Sequence, residues 1–418
     1  MTLWEFLKKA MLGHADQIAF EEGMTYAELI REAESPQTLP SQRLRLCSGL
    51  TRRNQALALL RALAHGEIAI PVGADYGEEQ AERIRLTVSR YGSSVSPDTA
   101  LILFTSGTTG EPKGVMLSHE NITENLLGIE EYFAVEPGQK LLICRPLVHV
   151  AVLVGELFFG LYKGMTLCFY EEPFQPRRLA RTIDDGAIDA ICLTPTLMFH
   201  LLPCLSGRRL STVVLSGERL SVRLTELLKE KYPWIGFYNV YGLTENAPRV
   251  SALTPENFFR KPGSVGRPIR RTAVEIENGE LLVRSPSVML GYLGREELTR
   301  KKIRNGALCT GDAAATDEEG YLYILGRKDE MIIRSGFNIY PQEIENIVNK
   351  IPGVERCLVF GEEDIQCGQR VCLKYMGALE PSELRNAFAG KLAPHLLPQR
   401  IERVESLPLT PGGKVKRG

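Results

Sequence analysis

The run Ala100-Leu-Ile-Leu-Phe-Thr-Ser-Gly-Thr-Thr-Gly-Glu-Pro-Lys-Gly114 constrains this chain more than any other stretch. Ala100 to Phe104 is short and wholly apolar, the pattern of a buried strand. It breaks straight into Thr105, Ser106, Gly107, Thr108, Thr109 and Gly110, then Pro112, Lys113 and Gly114. So many hydroxyls and glycines cannot be core. They make a turn whose backbone N–H groups and hydroxyls can converge on an anion, with Lys113 as a point charge. No Gly-Lys-Ser/Thr closes it as in a Walker loop, and Gly-x-Gly-x-x-Gly is absent. Taken alone, such a cluster also describes a polar surface loop, so the rest of the chain has to agree.

With 418 residues the chain is too long for one small core, and two or three domains are expected. Its net charge of −1 gives no basic surplus for nucleic acid. The nine cysteines include no Cys-x-x-Cys pair, so free thiols in a reducing cytoplasm fit better than disulfides or zinc. The N-terminal Met1-Thr-Leu-Trp-Glu-Phe-Leu-Lys-Lys carries charge where a signal peptide needs its apolar stretch. Leu147 to Tyr162, the greasiest region, contains His149 and Glu156 and is too short to span a bilayer. It reads as a buried helix with its flanks, and a cytoplasmic protein without a membrane span is expected.

The first 97 residues are the least informative. Trp4, Phe6, Leu7, Met11 and Leu12 suggest one helix, Met24 to Leu29 the start of a second, and Ala56 to Ala64 a third. Ile68 to Val72 follows as a strand. Onward to about Val240, strand patterns at 141–144, 166–170, 190–193 and 212–215 alternate with helical patterns at 121–132 and 177–185. This is the signature of parallel sheets with helices on both faces. Past Thr254 come short strands (273–276, 280–283, 321–324), and Asn278-Gly279 signals a hairpin turn. After Asp329 a compact α+β unit is expected. Pro341 opens one of its helices, and another carries Leu384, Phe388 and Leu392 at helical spacing. The fold class is α/β: doubly wound sheets, a small β-rich subdomain, and a small α+β C-terminal unit.

Further motifs follow in order: Val214-Leu-Ser-Gly-Glu218, Tyr238-Asn-Val-Tyr-Gly-Leu-Thr-Glu245, Cys309-Thr-Gly-Asp312, Gly326-Arg-Lys-Asp329 running on through Ser335-Gly-Phe-Asn-Ile-Tyr-Pro, and Leu407-Pro-Leu-Thr-Pro-Gly-Gly-Lys-Val-Lys-Arg417. Together with the opening loop, this series resembles the adenylate-forming (AMP-binding) superfamily of acyl- and aryl-CoA synthetases, peptide-synthetase adenylation domains and luciferases. The resemblance implies that Thr105 to Gly110 and Lys113 grip the phosphates of ATP. Gly217 and Glu218 would pack near adenine, although the family more often has a small residue where Glu218 stands. Tyr241 and Gly242 would border the nucleotide, Thr244 the α-phosphate, and Glu245 would hold Mg2+. Asp312 would take both ribose hydroxyls, with Arg327 in support. Asp329 would be the hinge between an N-terminal domain, residues 1–328 with a shortened first subdomain, and a mobile C-terminal domain, residues 329–418. Lys414 would be the catalytic lysine, with Thr244 and Glu245 beside it in the reaction, and Gly336 would line the thiol tunnel.

The implied reaction is ATP-dependent activation of a small carboxylic acid as an acyl-adenylate, then transfer to a thiol. Within that resemblance His149, Val150, Asn239 and Gly242 face the acid. Pro146 to Val154 carries no Asp or Glu to hold an ammonium group, which disfavours α-amino acids. Val150, Ala151, Val152 and Val154 suggest an apolar wall for an aryl or medium acyl group. The form of the segment after Ser335 favours coenzyme A as acceptor. The phosphopantetheine of an acyl or aryl carrier protein, as in siderophore or polyketide assembly, is the alternative. The resemblance leaves a homodimer open as an assembly state.

Overall fold

The computed structural model describes residues 1–36, 43–74, 76, 78–105, 112–206, 209–335, 337–364, 366–388 and 391–407. The expected Ser106, Gly107, Thr108, Thr109, Gly110, Gly336 and Lys414 lie outside these residues.

The alternating strand and helix patterns build a nine-stranded sheet. Five of its strands, Gly236–Gly242, Thr212–Ser216, Ala190–Leu193, Lys140–Ile143 and Thr166–Phe169, run parallel, and Ile18–Phe20 extends the parallel set. Arg249–Leu253 and Arg267–Pro268 close one edge antiparallel. The strand interiors are buried almost throughout, as expected of a sheet covered on both faces. The 147–162 segment is the expected buried helix with its flanks, continuous over 150–162 with a π-helical middle: Val150–Val152, Leu153–Phe158 and Phe159–Tyr162.

A second sheet orders Gly291–Tyr292, Lys113–Ser118, Thr99–Thr105, Ile68–Pro71 and Leu44–Cys47. Here the uniformly parallel expectation needs correcting. Thr99–Thr105 pairs antiparallel with Lys113–Ser118, and Thr105 faces Lys113 across the pair. Thr105 and Lys113, described residues of the opening motif, therefore lie on neighbouring antiparallel strands.

The β-rich subdomain is a five-stranded sheet in which Ala273–Glu277, Glu280–Arg284, Ala307–Thr316 and Ile303–Arg304 follow one another, with Leu322–Arg327 on Ala307–Thr316. Asn278 (φ 50°) and Gly279 (φ 77°) are both left-handed, as the hairpin signal requires. The C-terminal unit has its own sheet and core, in which Ile344, Val348, Leu384, Phe388 and Leu392 meet. The expected long helix through Leu392 is shorter, Pro381–Ala387, with Phe388 as its C-cap. Leu392 reaches the same core from beyond the helix, so the apolar spacing is honoured by chain return.

Candidate active site

Strand ends and turns deliver the motif residues to one region. Gly236–Gly242 carries Tyr241 and Gly242 at its carboxyl end, where sites in such sheets gather. The chain then turns through Thr244–Asn246 and returns as Arg249–Leu253, with Arg249 in register opposite Gly242. A Cβ on Gly242 would lie 1.9 Å from the Pro248 carbonyl oxygen, so only glycine fits this close return.

Four expected residues form a single network. The Tyr241 hydroxyl donates to Asp312 Oδ2 at 2.5 Å, and Arg327 Nη1 donates to Asp312 Oδ1 at 3.3 Å. Arg327 also forks onto Asp329, Nε to Oδ1 at 3.0 Å and Nη2 to Oδ2 at 3.2 Å. Asp312 is buried in the strand Ala307–Thr316 and lies in register opposite Arg327. Burial pushes its carboxyl above the usual range, against the opposing pull of Tyr241 and Arg327. The Tyr241 phenol is pushed well up by burial and by the Asp312 charge. Burial works against the Arg327 charge, yet the hydrogen bond it donates to Asp329 and the charge of Asp312 hold it above its ordinary value.

Thr310 locks the turn beneath: its hydroxyl donates to the Leu281 carbonyl at 2.7 Å and accepts the Asp312 N–H at 3.0 Å. That is why Thr precedes Gly-Asp here. The hydroxyl sets the backbone, Gly311 takes φ 78°, and the carboxylate is presented.

Glu245 is held by a residue that motif reading missed. The Tyr292 hydroxyl donates to Glu245 Oε1 at 2.6 Å, and the Glu245 carbonyl accepts the Met289 N–H at 2.9 Å. Tyr292 lies on the strand beside Lys113–Ser118, opposite Val115. The Glu245 turn is thus tied to the hairpin carrying Lys113. Burial, then the Glu245 charge, pushes the Tyr292 phenol far up, so it remains a donor. Glu245 Oε2 takes no hydrogen bond among the described residues, and no cluster of three metal-ligating side chains exists among them. A half-buried hard oxygen with one free lone-pair face suits Mg2+, which completes its shell with phosphate oxygens and water.

The remaining expected residues are placed more loosely. Gly217 has φ 85° directly after the strand Thr212–Ser216. Glu218 turns its carboxylate to the start of the helix Pro195–Leu201, accepting the Thr196 N–H at 3.0 Å. That is a capping contact at a positive helix end. His149 is exposed at the N-cap of Val150–Val152, and Val150 is buried behind it. Asn239 is buried and donates from Nδ2 to the Ser264 carbonyl at 2.6 Å. Thr244 is half-buried in the Glu245 turn.

Comparison with known proteins gives a consistent result. The family model described as AMP-binding enzyme matches residues 50–293, and the AMP-binding enzyme C-terminal domain matches residues 343–414. A 2-succinylbenzoate–CoA ligase from Listeria monocytogenes serotype 4b (strain F2365) is 31% identical over 328 residues, covering 76% of this chain and 68% of that protein. A feruloyl-CoA synthase from Amycolatopsis sp is 31% identical over 341 residues, covering 77% and 69%. Among solved structures, o-succinylbenzoate CoA synthetase (MenE) from Bacillus subtilis with its acyl-adenylate intermediate superposes at TM-score 0.84 and 24% identity, over 99% of this chain and 97% of that one. The amide bond synthetase McbA from Marinactinospora thermotolerans does so at 0.86 and 24%, over 100% and 98%. These likenesses establish the fold, with its large N-terminal and small C-terminal domains.

Proposed function

The chain belongs to the AMP-binding enzyme family and is an ATP-dependent, AMP-forming ligase of the acyl/aryl-CoA synthetase kind, and we propose that it joins an aryl or medium acyl carboxylate to coenzyme A. The observation that carries the site reading is the Tyr241–Asp312–Arg327–Asp329 network, which unites three separated motifs around one buried carboxylate.

In this reading a carboxylate oxygen of the acid attacks the α-phosphorus of ATP and pyrophosphate leaves. The protein contributes positioning and charge neutralisation, with little covalent chemistry of its own. Asp312 accepts both ribose hydroxyls, the Arg327 charge favours its ionised form against the pull of burial, and Tyr241 fixes its rotamer. Residues 105–110 with Lys113 hold the departing phosphates, Gly217 and Glu218 border adenine, and Thr244 contacts the α-phosphate. Glu245, oriented by Tyr292, would hold Mg2+, which when bound neutralises phosphate charge. Lys414 bridges the carboxylate and the α-phosphate as charge builds. The C-terminal domain then turns about Asp329, taking Lys414 away and bringing Gly336 to the incoming thiol. The thiol attacks the acyl carbonyl and AMP leaves. His149, Val150, Asn239 and Gly242 border the acid, and the buried Val150, Val152 and Val154 supply its apolar wall. A supply of ATP and coenzyme A supports a cytoplasmic setting for the reaction. Among the described residues no helix is long and apolar enough to cross a membrane.

The test is a panel of aryl, fatty and amino acids with ATP, Mg2+ and either coenzyme A or holo carrier proteins, with products identified by mass. Thioester of coenzyme A with AMP supports the proposal. Transfer only to a carrier protein moves the acceptor, and preference for an amino acid overturns the reading of the apolar wall.

A further inference from the structure

On the helix that carries those valines the structure buries a cluster of charge. Arg145, just past the strand Lys140–Ile143, donates from Nη2 to Glu156 Oε1 at 2.6 Å and from Nη1 to Ser216 Oγ at 3.2 Å. Glu156 sits on the π-helical stretch that follows the wall and is 0% exposed. Arg249 joins from the other side. A Cβ on Gly155 would lie 2.7 Å from Arg249 Nη2, so that guanidinium packs against the same helical turn, and its charge acts on Glu156. Arg145 is 8% exposed, Ser216 1% and Arg249 3%.

The charges do not balance. Among the described residues Glu156 is the one carboxylate in ion-pair range of Arg145, and Arg249 has none. The cluster holds two guanidinium groups against one carboxylate in a buried setting, where an unanswered charge is costly. Its hydrogen bonding is also incomplete: Arg145 Nε, Arg249 Nε and Glu156 Oε2 are buried and have no partner. A purely structural ion cluster is expected to complete its own bonds.

Its members come from segments assigned to the acid and from the neighbouring one assigned to adenine. Arg145 lies four residues before His149, Ser216 directly precedes Gly217, Glu156 follows the valine wall, and Arg249 is in register with Gly242.

We propose that Arg145, Glu156, Arg249 and Ser216 form a subsite for a second carboxylate on the acid substrate, remote from the one that is activated. This rests on the ligase reading above and narrows its substrate class to dicarboxylic acids activated at one end. Glu156 holds Arg145 in place and cancels one positive charge. The substrate's distal carboxylate answers the other, docking against Arg249 and the free Arg145 Nε. The apolar wall lies between the two ends, matching a hydrocarbon or aryl spacer.

The test compares acid-dependent ATP–pyrophosphate exchange for hexanoate against adipate, and 3-phenylpropanoate against its analogue with a para-carboxylate. In the wild type the better diacid should exceed its monoacid by about tenfold or more in kcat/KM, because a site built for a charged partner rejects the analogue lacking it. Arg249→Gln should lower kcat/KM for the diacid at least about tenfold more than for the monoacid. Gly155→Ala, which leaves every charge present but pushes Arg249 aside, should do the same, and Arg249→Lys should recover part of the difference. A wild-type preference for the monoacids, or equal losses for both acids in the variants, overturns the proposal. Thermal stabilisation by each acid without turnover is the second readout. If no acid supports exchange, the ligase reading fails. In that case stabilisation of the wild type by the diacid, absent in Arg249→Gln, still upholds the subsite, and its absence in both removes it.

Discussion

Replacing Tyr241 by phenylalanine tests the proposed role of the Tyr241–Asp312–Arg327–Asp329 network most sharply, because it deletes one oxygen and leaves the ring. The lost bond is a 2.5 Å contact to a carboxylate that is only 6% exposed. A buried hydrogen bond to a charged group contributes about 1.5–3 kcal/mol, against about 0.5–1.5 kcal/mol between neutral partners. Burial raises the Asp312 pKa in the folded protein, so the native state is favoured while Asp312 is protonated and loses stability as pH rises through that raised value. The Tyr241 bond opposes the rise. Removing it lifts the Asp312 pKa further and makes ionisation dearer at neutral pH. Equilibrium urea unfolding should therefore show Tyr241→Phe destabilised by about 1.5–3 kcal/mol at pH 7, narrowing to about 0.5–1.5 kcal/mol once Asp312 is protonated. With ATP, the KM in pyrophosphate exchange should rise about tenfold, equivalent to about 1.4 kcal/mol of ground-state binding, with kcat less affected. A stability loss that does not change with pH, or an unchanged KM for ATP, refutes the network's role.

Gly242→Ala forces a Cβ to 1.9 Å from the Pro248 carbonyl and should abolish exchange while lowering the melting temperature, because backbone must move on both strands. Glu245→Gln should raise the Mg2+ concentration for half-maximal exchange by more than about 100-fold, and Tyr292→Phe, which only frees the Glu245 rotamer, by a smaller factor of about 10–100-fold, read by Mg2+ titration of activity. Lys414→Ala should nearly abolish adenylate formation while leaving thioester formation from supplied acyl-adenylate, and equal loss of both half-reactions counts against the hinge.

Much of this was legible in the residues. Ala100–Phe104 reads as a buried strand because every side chain is apolar, and Asn278-Gly279 names its turn because both positions need a left-handed backbone. The return strand Lys113–Ser118 escaped because its apolar residues, Val115, Met116 and Leu117, are few and follow a turn that draws attention first. Tyr292 could not be found from pattern. It is a lone aromatic far along the chain from Glu245, held by strand pairing with Lys113–Ser118 and joined to Glu245 by a hydrogen bond. Arg145, Glu156 and Arg249 left a weak sign, each a charge inside an otherwise apolar run, but only the π-helical register and the missing Cβ of Gly155 bring them together. Glu218 shows the reverse case: a motif position whose side chain is already engaged at a helix start.

The central claim, that an acid is activated through a bond to the α-phosphate of ATP, is tested most directly with a substrate acid labelled by oxygen-18 in both carboxylate oxygens. Full turnover with ATP and coenzyme A should leave one labelled oxygen in the AMP and none in pyrophosphate. Label in inorganic phosphate with ADP as co-product, or unlabelled AMP, would contradict it.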